Sequence, residues 1–150
     1  MKQLFIVLIL VILWSCQTKN DVLMLESPSG NLKILVSNEQ GKVTYQLFTK
    51  TDSSESIVLA PSPLGLVRSD GNFAKGLTFV KRTETKSVSD SYTMVSGKQK
   101  ELTYMANEAG FTFQNQNSQQ MEIIFRLFDE GLAFRYFFPG QSDSVVWVVS

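Results

Sequence analysis

The strongest constraint on the fold is an alternation of apolar and polar residues that recurs along the chain from Val22 onward. No window of ten or more residues there has helical periodicity, so the pattern predicts β-strands. In the first clear strand, Leu32, Ile34 and Val36 share one side. A predicted turn at residues 38–41 follows, and the alternation then resumes on a return strand, which indicates a hairpin.

The rest of the chain repeats this arrangement of short strands and turns. Pro61 and Pro63 lack a backbone N–H, so the segment around them is not expected to pair centrally in a sheet. About ten strands in 150 residues predict one all-β domain, folded as an antiparallel sandwich or barrel. Beyond the first hairpin, strands are predicted at residues 57–59, 64–67, 77–81, 92–95, 102–105, 110–114, 121–128, 132–138 and 145–149.

Composition excludes several functional classes. The chain has no histidine, which removes Ser-His-Asp and Cys-His catalysis and any His-ligated zinc or haem site. The 14 Lys and Arg residues balance 14 Asp and Glu residues, and the pI is about 6.3. A nucleic-acid partner is therefore not expected, because such domains usually carry a basic surface and a pI above about 9.

The first 15 residues predict a signal peptide. Lys2 supplies a positive charge before an unbroken apolar run at residues 4–14. These eleven residues are too few for a membrane-spanning helix, which needs about 20. A charged start, a short apolar run and the small Ser15 near its end are typical of a secretory signal peptide at residues 1–15.

The only cysteine, Cys16, directly follows this segment. Residues 13–16 (LWSC) resemble a bacterial lipobox, in which the cysteine is diacylated and becomes the new N-terminus. The alternative is an ordinary signal peptide followed by an unrelated free cysteine. With lipidation at Cys16, residues 16–25 form a short tether that holds the protein at a membrane surface. We therefore expect an exported, membrane-anchored lipoprotein.

The register of the last hairpin can be argued from its sequence. Pairing Leu127 with Phe134 gathers the apolar residues of both strands on one face, whereas a shift by one residue mixes Arg126 into them. This pairing predicts that Arg126 lies directly opposite Arg135 on the other face, an unfavourable meeting of like charges. Either Glu122 neutralises the two arginines locally, or they form a domain interface and meet carboxylates from elsewhere in a larger protein.

No catalytic or metal-binding residue is predicted in this chain. The only adjacent carboxylates, Asp129 and Glu130, lie in a predicted turn, where solvated turn residues are the better interpretation. Other acidic residues are dispersed, and no calcium-loop pattern is present. Some aromatic residues are candidates for a sugar-stacking platform, although the alternation favours a core position for Tyr45 and the apolar run favours burial of Trp147. The candidates are Tyr45, Tyr92, Tyr104 and Trp147.

The sequence ends in a strongly apolar predicted strand, residues 144–150 (SVVWVVS). As an exposed edge strand, it would promote aggregation. We expect either that this domain covers the strand or that the natural protein continues past Ser150, which would leave the predicted sandwich incomplete at its C-terminus.

Three segments carry a resemblance to a known family. They are residues 27–32 (SPSGNL), 61–66 (PSPLGL) and 125–139 (FRLFDEGLAFRYFFP). In this order and spacing they resemble the opening S-P-[DN]-G-[NK]-[LI], the turn P-S-x-L-G-L and the hairpin F-R-x-[FY]-[ND]-[DE]-G-[VL]-[AG]-F-R-Y-x-F-P of the glycoside hydrolase family 97 N-terminal domain, known from Bacteroidetes-type α-glucosidases and α-galactosidases. Residues 100–106 depart from that family's N-H-Y-N-E segment, of which only residues 107–108 (NE) remain.

The resemblance implies a galactose-mutarotase-like β-super-sandwich that packs against a catalytic (β/α)₈ barrel and helps shape its sugar site. It also implies that the general acid, the base or nucleophile, and the calcium-binding glutamates lie on segments absent from this chain. No catalytic position and no calcium ligand is therefore carried over. The implied partners are the barrel domain, an α-linked oligosaccharide in the full-length context and, through Cys16, a Gram-negative-type envelope membrane on its periplasmic side or at the cell surface.

The leading interpretation is that residues 26–150 form a partial N-terminal sandwich domain of a lipid-anchored α-glycosidase, without activity of its own. The alternative is a stand-alone envelope lipoprotein that binds glycans or another envelope protein. A sugar mutarotase is disfavoured, because those enzymes typically use histidine as acid or base.

Overall fold

The computed structural model describes residues 23–51, 54–93, 101–140 and 147–148. In these ranges every regular element is a β-strand, and every pair of strands is antiparallel. The predicted all-β, antiparallel sandwich is confirmed. The strands are β1 (Leu23–Glu26), β2 (Leu32–Glu39), β3 (Lys42–Thr51), β4 (Ser54–Leu64), β5 (Val67–Arg68), β6 (Gly71–Asn72), β7 (Thr78–Arg82), β8 (Lys86–Thr93), β9 (Glu101–Gln114), β10 (Gln120–Phe128), β11 (Leu132–Phe137) and β12 (Trp147–Val148).

The first sheet has four strands in the order β1-β2-β3-β4. Alternation places Ile34 and Val36 on its inner face, where both are fully buried. β4 is the outer strand beside β3 and contains Pro61 and Pro63, which agrees with the expectation that these prolines avoid a central position. β1 includes residues 23–25, which the sequence analysis assigned to the tether, so the paired structure begins at Leu23.

The second sheet has five strands and is organised by the long strand β9. β9 pairs with β10 along one side, and with β7 and β8 in succession along the other. The sequence predicted two strands, at residues 102–105 and 110–114, but the ladder continues through residues 106–109 because each of them pairs with β10. β8 also begins earlier than predicted, at Lys86.

The two sheets pack face to face around one hydrophobic core. The first sheet contributes aliphatic side chains, β9 and β10 contribute three phenylalanines together with aliphatic side chains and a methionine, and Phe73 and Leu77 belong to the same cluster. Burial of this apolar surface is the main force that holds the sheets together. The core residues are Leu25, Ile34, Val36, Val43, Leu47, Leu64, Phe73, Leu77, Ala109, Phe111, Phe113, Met121, Ile123, Phe125 and Leu127.

A small third sheet has the order β12-β5-β6. The backbone of Trp147 pairs with Arg68, and that of Val148 pairs with Val67. The described part of the apolar C-terminal strand is thus paired within this domain.

In the described ranges there is no helix long and apolar enough to cross a membrane.

Candidate functional site

The β10–β11 hairpin has a register two residues away from the predicted one. Leu127 lies opposite Leu132, not opposite Phe134. The Phe128 N–H donates to the Gly131 carbonyl at 2.8 Å, which closes a tight turn that the predicted pairing would have opened into a longer loop. Because strands have a period of two residues, this difference leaves the predicted faces unchanged but changes every cross-strand neighbour.

The two arginines of the predicted interface are therefore not directly opposite each other. Arg126 lies opposite Ala133, and Arg135 lies opposite Ile124. The predicted pairing of Arg126 with Arg135 is wrong, since the tight turn sets a register in which the like charges are only diagonal neighbours. Both arginines remain on the outer face of the five-stranded sheet.

Arg126 has its own carboxylate partner on the neighbouring strand. Its Nε donates to Oε2 of Glu108 at 2.6 Å, and the two residues are paired across β9 and β10. This hydrogen bond raises the pKa of the Arg126 guanidinium. From the sequence, Glu122 was expected to neutralise both arginines, whereas the structure pairs Arg126 with Glu108. The sequence feature that could have indicated Glu108 is its position in residues 107–108 (NE), the part of the family's N-H-Y-N-E segment that this chain keeps.

Arg135 borders a groove of about 320 Å³ beside the edge strand β11. Ile124, Ala133 and Phe134 form its apolar part, and Arg126 and Arg135 form its charged part. Among the residues that the structure describes, no carboxylate forms a salt bridge with Arg135. The groove therefore combines apolar surface with an arginine that has no carboxylate partner in the described part of the chain.

The turn of the hairpin is anchored to the opening segment of the domain. Oδ1 of Asp129 accepts hydrogen bonds from the Ser29 backbone N–H at 2.9 Å and the Ser29 hydroxyl at 2.6 Å. These bonds hold the pKa of the Asp129 carboxyl below its usual value. Asp129 is an exposed turn residue, as expected, and it also joins residues 27–32 to residues 125–139.

A second anchor joins the hairpin to residues 61–66. The Gly65 backbone N–H donates to the Tyr136 hydroxyl at 2.9 Å. Burial raises the pKa of Tyr136, so its phenol stays protonated, and its oxygen accepts the hydrogen bond from Gly65. Gly65 has a φ of 131°, and a Cβ there would lie 2.3 Å from the Phe73 carbonyl oxygen, so only glycine fits. Residues 27–32 and 61–66 therefore both contact the hairpin at residues 125–139, so the three segments that carry the family resemblance lie together.

The remnant residue Asn107 links the two sheets. Its Nδ2 donates to the Glu26 carbonyl of β1 at 2.9 Å. The sequence analysis did not assign a function to Asn107. Its contact, together with the Glu108–Arg126 pair on the adjacent residue, places the two remaining residues of that segment beside the hairpin.

The described aromatic candidates do not form one sugar platform. Tyr45 packs inside the sandwich, with ring centroids 5.9 Å from Phe125 and 5.6 Å from Phe134. Tyr104 lies on the outer face, 5.5 Å from the Phe128 ring, and donates a hydrogen bond to Asp90. The side chains of Tyr92 and Trp147, and the whole of Cys16, lie outside the described residues.

The described residues do not fit the calcium ion that the family resemblance implies for a full-length enzyme. No group of three His, Cys, Asp or Glu side chains gathers in the described ranges to hold a metal. Of the acidic side chains near the hairpin, Glu108 is bound to Arg126 and Asp129 to Ser29.

Comparison with known proteins matches residues 25–149 to the family model described as Glycosyl-hydrolase 97 N-terminal. A "Probable retaining alpha-galactosidase" of Streptomyces bingchenggensis (strain BCW-1) is 32% identical over 89 residues, which are 59% of this chain and 14% of that protein. Two structures of a glycoside hydrolase family 97 enzyme from Pseudoalteromonas sp. strain K8, in complex with panose and with acarbose, each have a TM-score of 0.68 and 26% identity.

Both structural matches cover 81% of this chain but only 18% of the Pseudoalteromonas enzyme. The chain thus corresponds to a small part of each of these relatives, and the family match extends over most of its own length. The hairpin at residues 125–139 and the two segments that contact it, residues 27–32 and 61–66, all lie within the matched range. The chain belongs to the glycoside hydrolase family 97 N-terminal domains.

Proposed function

We propose that this chain supports the hydrolysis of α-linked oligosaccharides by packing its β11 face against the catalytic part of a family 97 enzyme. The observation that carries the proposal is the groove beside β11, where apolar side chains adjoin Arg135. Phe137, on the same strand, is 47% exposed. An apolar centre with a nearby arginine is typical of a protein interface.

The relatives support the sugar assignment. One is named a probable retaining alpha-galactosidase, and structures of another are described in complex with panose and with acarbose. Glycoside hydrolysis generally needs two carboxyl groups about 5–10 Å apart across the bond that breaks. Two of the carboxylates at and beside the hairpin are instead engaged: Glu108 of β9 binds Arg126, and Asp129 of the turn binds Ser29. We therefore assign the hydrolytic carboxylates to the catalytic part, and positioning to this domain.

Immunodepletion from detergent-solubilised envelopes tests this function. An antibody against residues 27–139 should detect a product several times heavier than 16.9 kDa and remove aryl α-galactosidase or α-glucosidase activity from the extract. A product near 16.9 kDa whose removal leaves that activity untouched would contradict the proposal and favour a stand-alone lipoprotein.

Arg135→Glu tests the docking face itself. Because Arg135 has no carboxylate partner among the described residues, the substitution should leave the melting temperature of the 150-residue chain unchanged. In the heavier product that contains the catalytic part, Arg135→Glu should lower the glycosidase activity and make thermal unfolding less cooperative. Equal effects on both forms would contradict a role in docking.

We also propose that Cys16 is diacylated, becomes the new N-terminus when residues 1–15 are cleaved off, and anchors the protein in a Gram-negative-type envelope. The basis is the lipobox-like sequence at residues 13–16. Metabolic labelling with a radioactive fatty acid should mark the wild-type product and not a Cys16→Ser variant. Labelling that persists in Cys16→Ser would rule out this anchor.

A further inference from the structure

A second groove, of about 450 Å³, lies at the end of β10 opposite the Asp129 turn. Three loops meet there: the β2–β3 turn, the segment after β6, and the β9–β10 loop. Its size is that of a small-molecule site. Besides Asn115, the polar residues around it are Gln40, Lys42, Asn72, Lys75, Gln116 and Asn117.

The loops around this groove are joined by backbone contacts and by the Asn115 side chain. The Leu77 N–H donates to the Gly41 carbonyl at 3.0 Å. A Cβ on Gly41 would lie 2.8 Å from Cα of Gly76, so the two loops touch at a site that only glycine allows. Asn115 is 7% exposed, and its side chain bonds to the backbone N–H groups of Asn117 and Gln119.

Gln40 occupies a backbone conformation that costs stability. Its φ is 51°, and that of Gly41 is 76°, as in a type I′ turn. Asn, Asp and Gly are the residues that suit the first central position of this turn, and glutamine is strained there. The side chain of Gln40 lines the groove. Strained residues are often retained where the side chain has a function.

The charges of the groove define the ligand. None of the lining side chains is a carboxylate or an aromatic ring. Within the described ranges, neither Lys42 nor Lys75 forms a salt bridge. Two free ammonium groups favour an anion, and amides both donate to and accept from hydroxyl groups. The absence of a lining aromatic ring disfavours a stacked nucleobase.

We propose that this groove binds an acidic saccharide, a sugar ring bearing a carboxylate or sulfate. Lys42 and Lys75 contact the acidic group, and the surrounding amides contact the ring hydroxyls. The site shares no lining residue with the groove beside β11, and the proposal is independent of the proposed docking function.

Calorimetric titration of the full 150-residue chain in mild detergent tests the site. The probes are trigalacturonate, a sulfated oligosaccharide, neutral maltotriose and inorganic sulfate. We expect at least one acidic saccharide to bind, in a salt-dependent manner, and to bind at least about tenfold more tightly than maltotriose and inorganic sulfate. The preferred acidic probe then identifies carboxylate or sulfate as the recognised group.

Lys42→Gln/Lys75→Gln keeps hydrogen-bonding side chains and removes both charges. It should weaken binding of the acidic saccharide about tenfold or more per lysine. Lys81→Gln/Lys86→Gln removes two charges from β7 and β8, away from the groove, and should change binding less than about twofold. Equal effects of the two double variants would overturn the proposal.

Gln40→Gly separates binding from folding. Glycine suits the positive φ, so the melting temperature should rise, while loss of the amide should weaken binding about fivefold. Unchanged affinity would overturn the role of Gln40. Equal binding of maltotriose, binding of inorganic sulfate as tight as that of the saccharide, or no binding by any probe would each overturn the acidic-saccharide site.

Discussion

Carboxylates that are dispersed in the sequence act as anchors for the β10–β11 hairpin. Glu108 binds Arg126 on the outer face, and Asp129 binds Ser29 at the turn. Both contacts are charge-assisted, and such hydrogen bonds are stronger than those between neutral groups. Because Asp129 is more exposed than Glu108, the two contacts should respond differently to substitution and to pH.

Asp129→Asn should lower the stability of the domain at pH 7 and have a smaller effect in acid. The folded-state pKa of Asp129 lies below the ordinary value of 3.8, so the stabilisation is present above pH 3.8 and is lost as pH falls through the lower folded-state pKa. Urea unfolding of both proteins at neutral and acidic pH measures this difference. Glu130→Gln removes the same charge one residue away, where the structure shows no hydrogen bond, and is the matched control. A pH-independent difference would contradict the prediction.

Arg126→Met should destabilise the domain more than Glu108→Gln. The methionine leaves the Glu108 carboxylate, whose side chain is 20% exposed, without its partner, whereas Arg126 is 43% exposed and is solvated when Glu108 is replaced. We expect losses of about 2 and about 1 kcal/mol in the free energy of unfolding, after allowing for solvent screening. Urea titration measures both. Arg135→Met replaces an arginine of the same face that has no salt bridge in the described ranges, and it should change stability by less than about 0.5 kcal/mol. The reverse order of the two losses would refute this account.

At the scale of elements, alternation predicted most strands and their buried faces, but it divided β9 into two strands and did not predict that β4 continues through Pro61 and Pro63. Ile34, Val36 and the inner residues of β10 are buried as the pattern indicates. The register of β11 could not be predicted in the same way, since two pairings that differ by two residues bury the same side chains. The observed pairing has a tight turn that is closed by the hydrogen bond between the Phe128 N–H and the Gly131 carbonyl. The alternation of apolar and polar residues does not encode the length of this turn.

The candidate site was predictable only in part. The sequence identified Arg126, Arg135 and the three motif segments, but their contacts join residues as far apart as Ser29 and Asp129. Contacts of this kind depend on how the sheets pack, which local pattern does not determine. Lys42 and Gln116 show the same limitation, because only the meeting of separate loops brings them to one groove.

Tyr136→Phe should show how strongly β11 is tied to the turn after β4. The substitution keeps the ring and removes the acceptor of the Gly65 N–H, a part-buried donor that then lacks a partner. We expect a loss of about 1–2 kcal/mol in the free energy of unfolding, measured by urea titration. Tyr104→Phe removes a more exposed hydrogen bond, to Asp90, and should cost less than about 0.5 kcal/mol. Equal losses would mean that the Gly65 contact contributes little.

For the whole molecule, the arrangement of edge strands decides how the domain meets its surroundings. β4 and β11 are outer strands of their sheets, and each carries exposed apolar side chains: Ile57 is 61% exposed and Phe137 is 47% exposed. β7 is also an outer strand next to β9, but its register is interrupted at Val80, which is followed by Lys81 and Arg82. Irregular pairing and positive charge protect an edge from association, whereas β4 and β11 carry these features only in part.

The chain from Gln17 onward should therefore self-associate through β4 and β11 when no catalytic part covers them. Ile57→Lys and Phe137→Lys should each shift sedimentation velocity profiles towards the monomer, since a lysine interrupts an apolar edge and adds repulsion between copies. Val80→Lys adds the same charge at the protected edge and should leave the profile unchanged. In the long enzyme, where we propose that the β11 face is covered, Phe137→Lys should instead lower activity. Monomers at every concentration in the unsubstituted chain would show that neither edge is a docking surface, and would remove the main structural support for interdomain packing at β11.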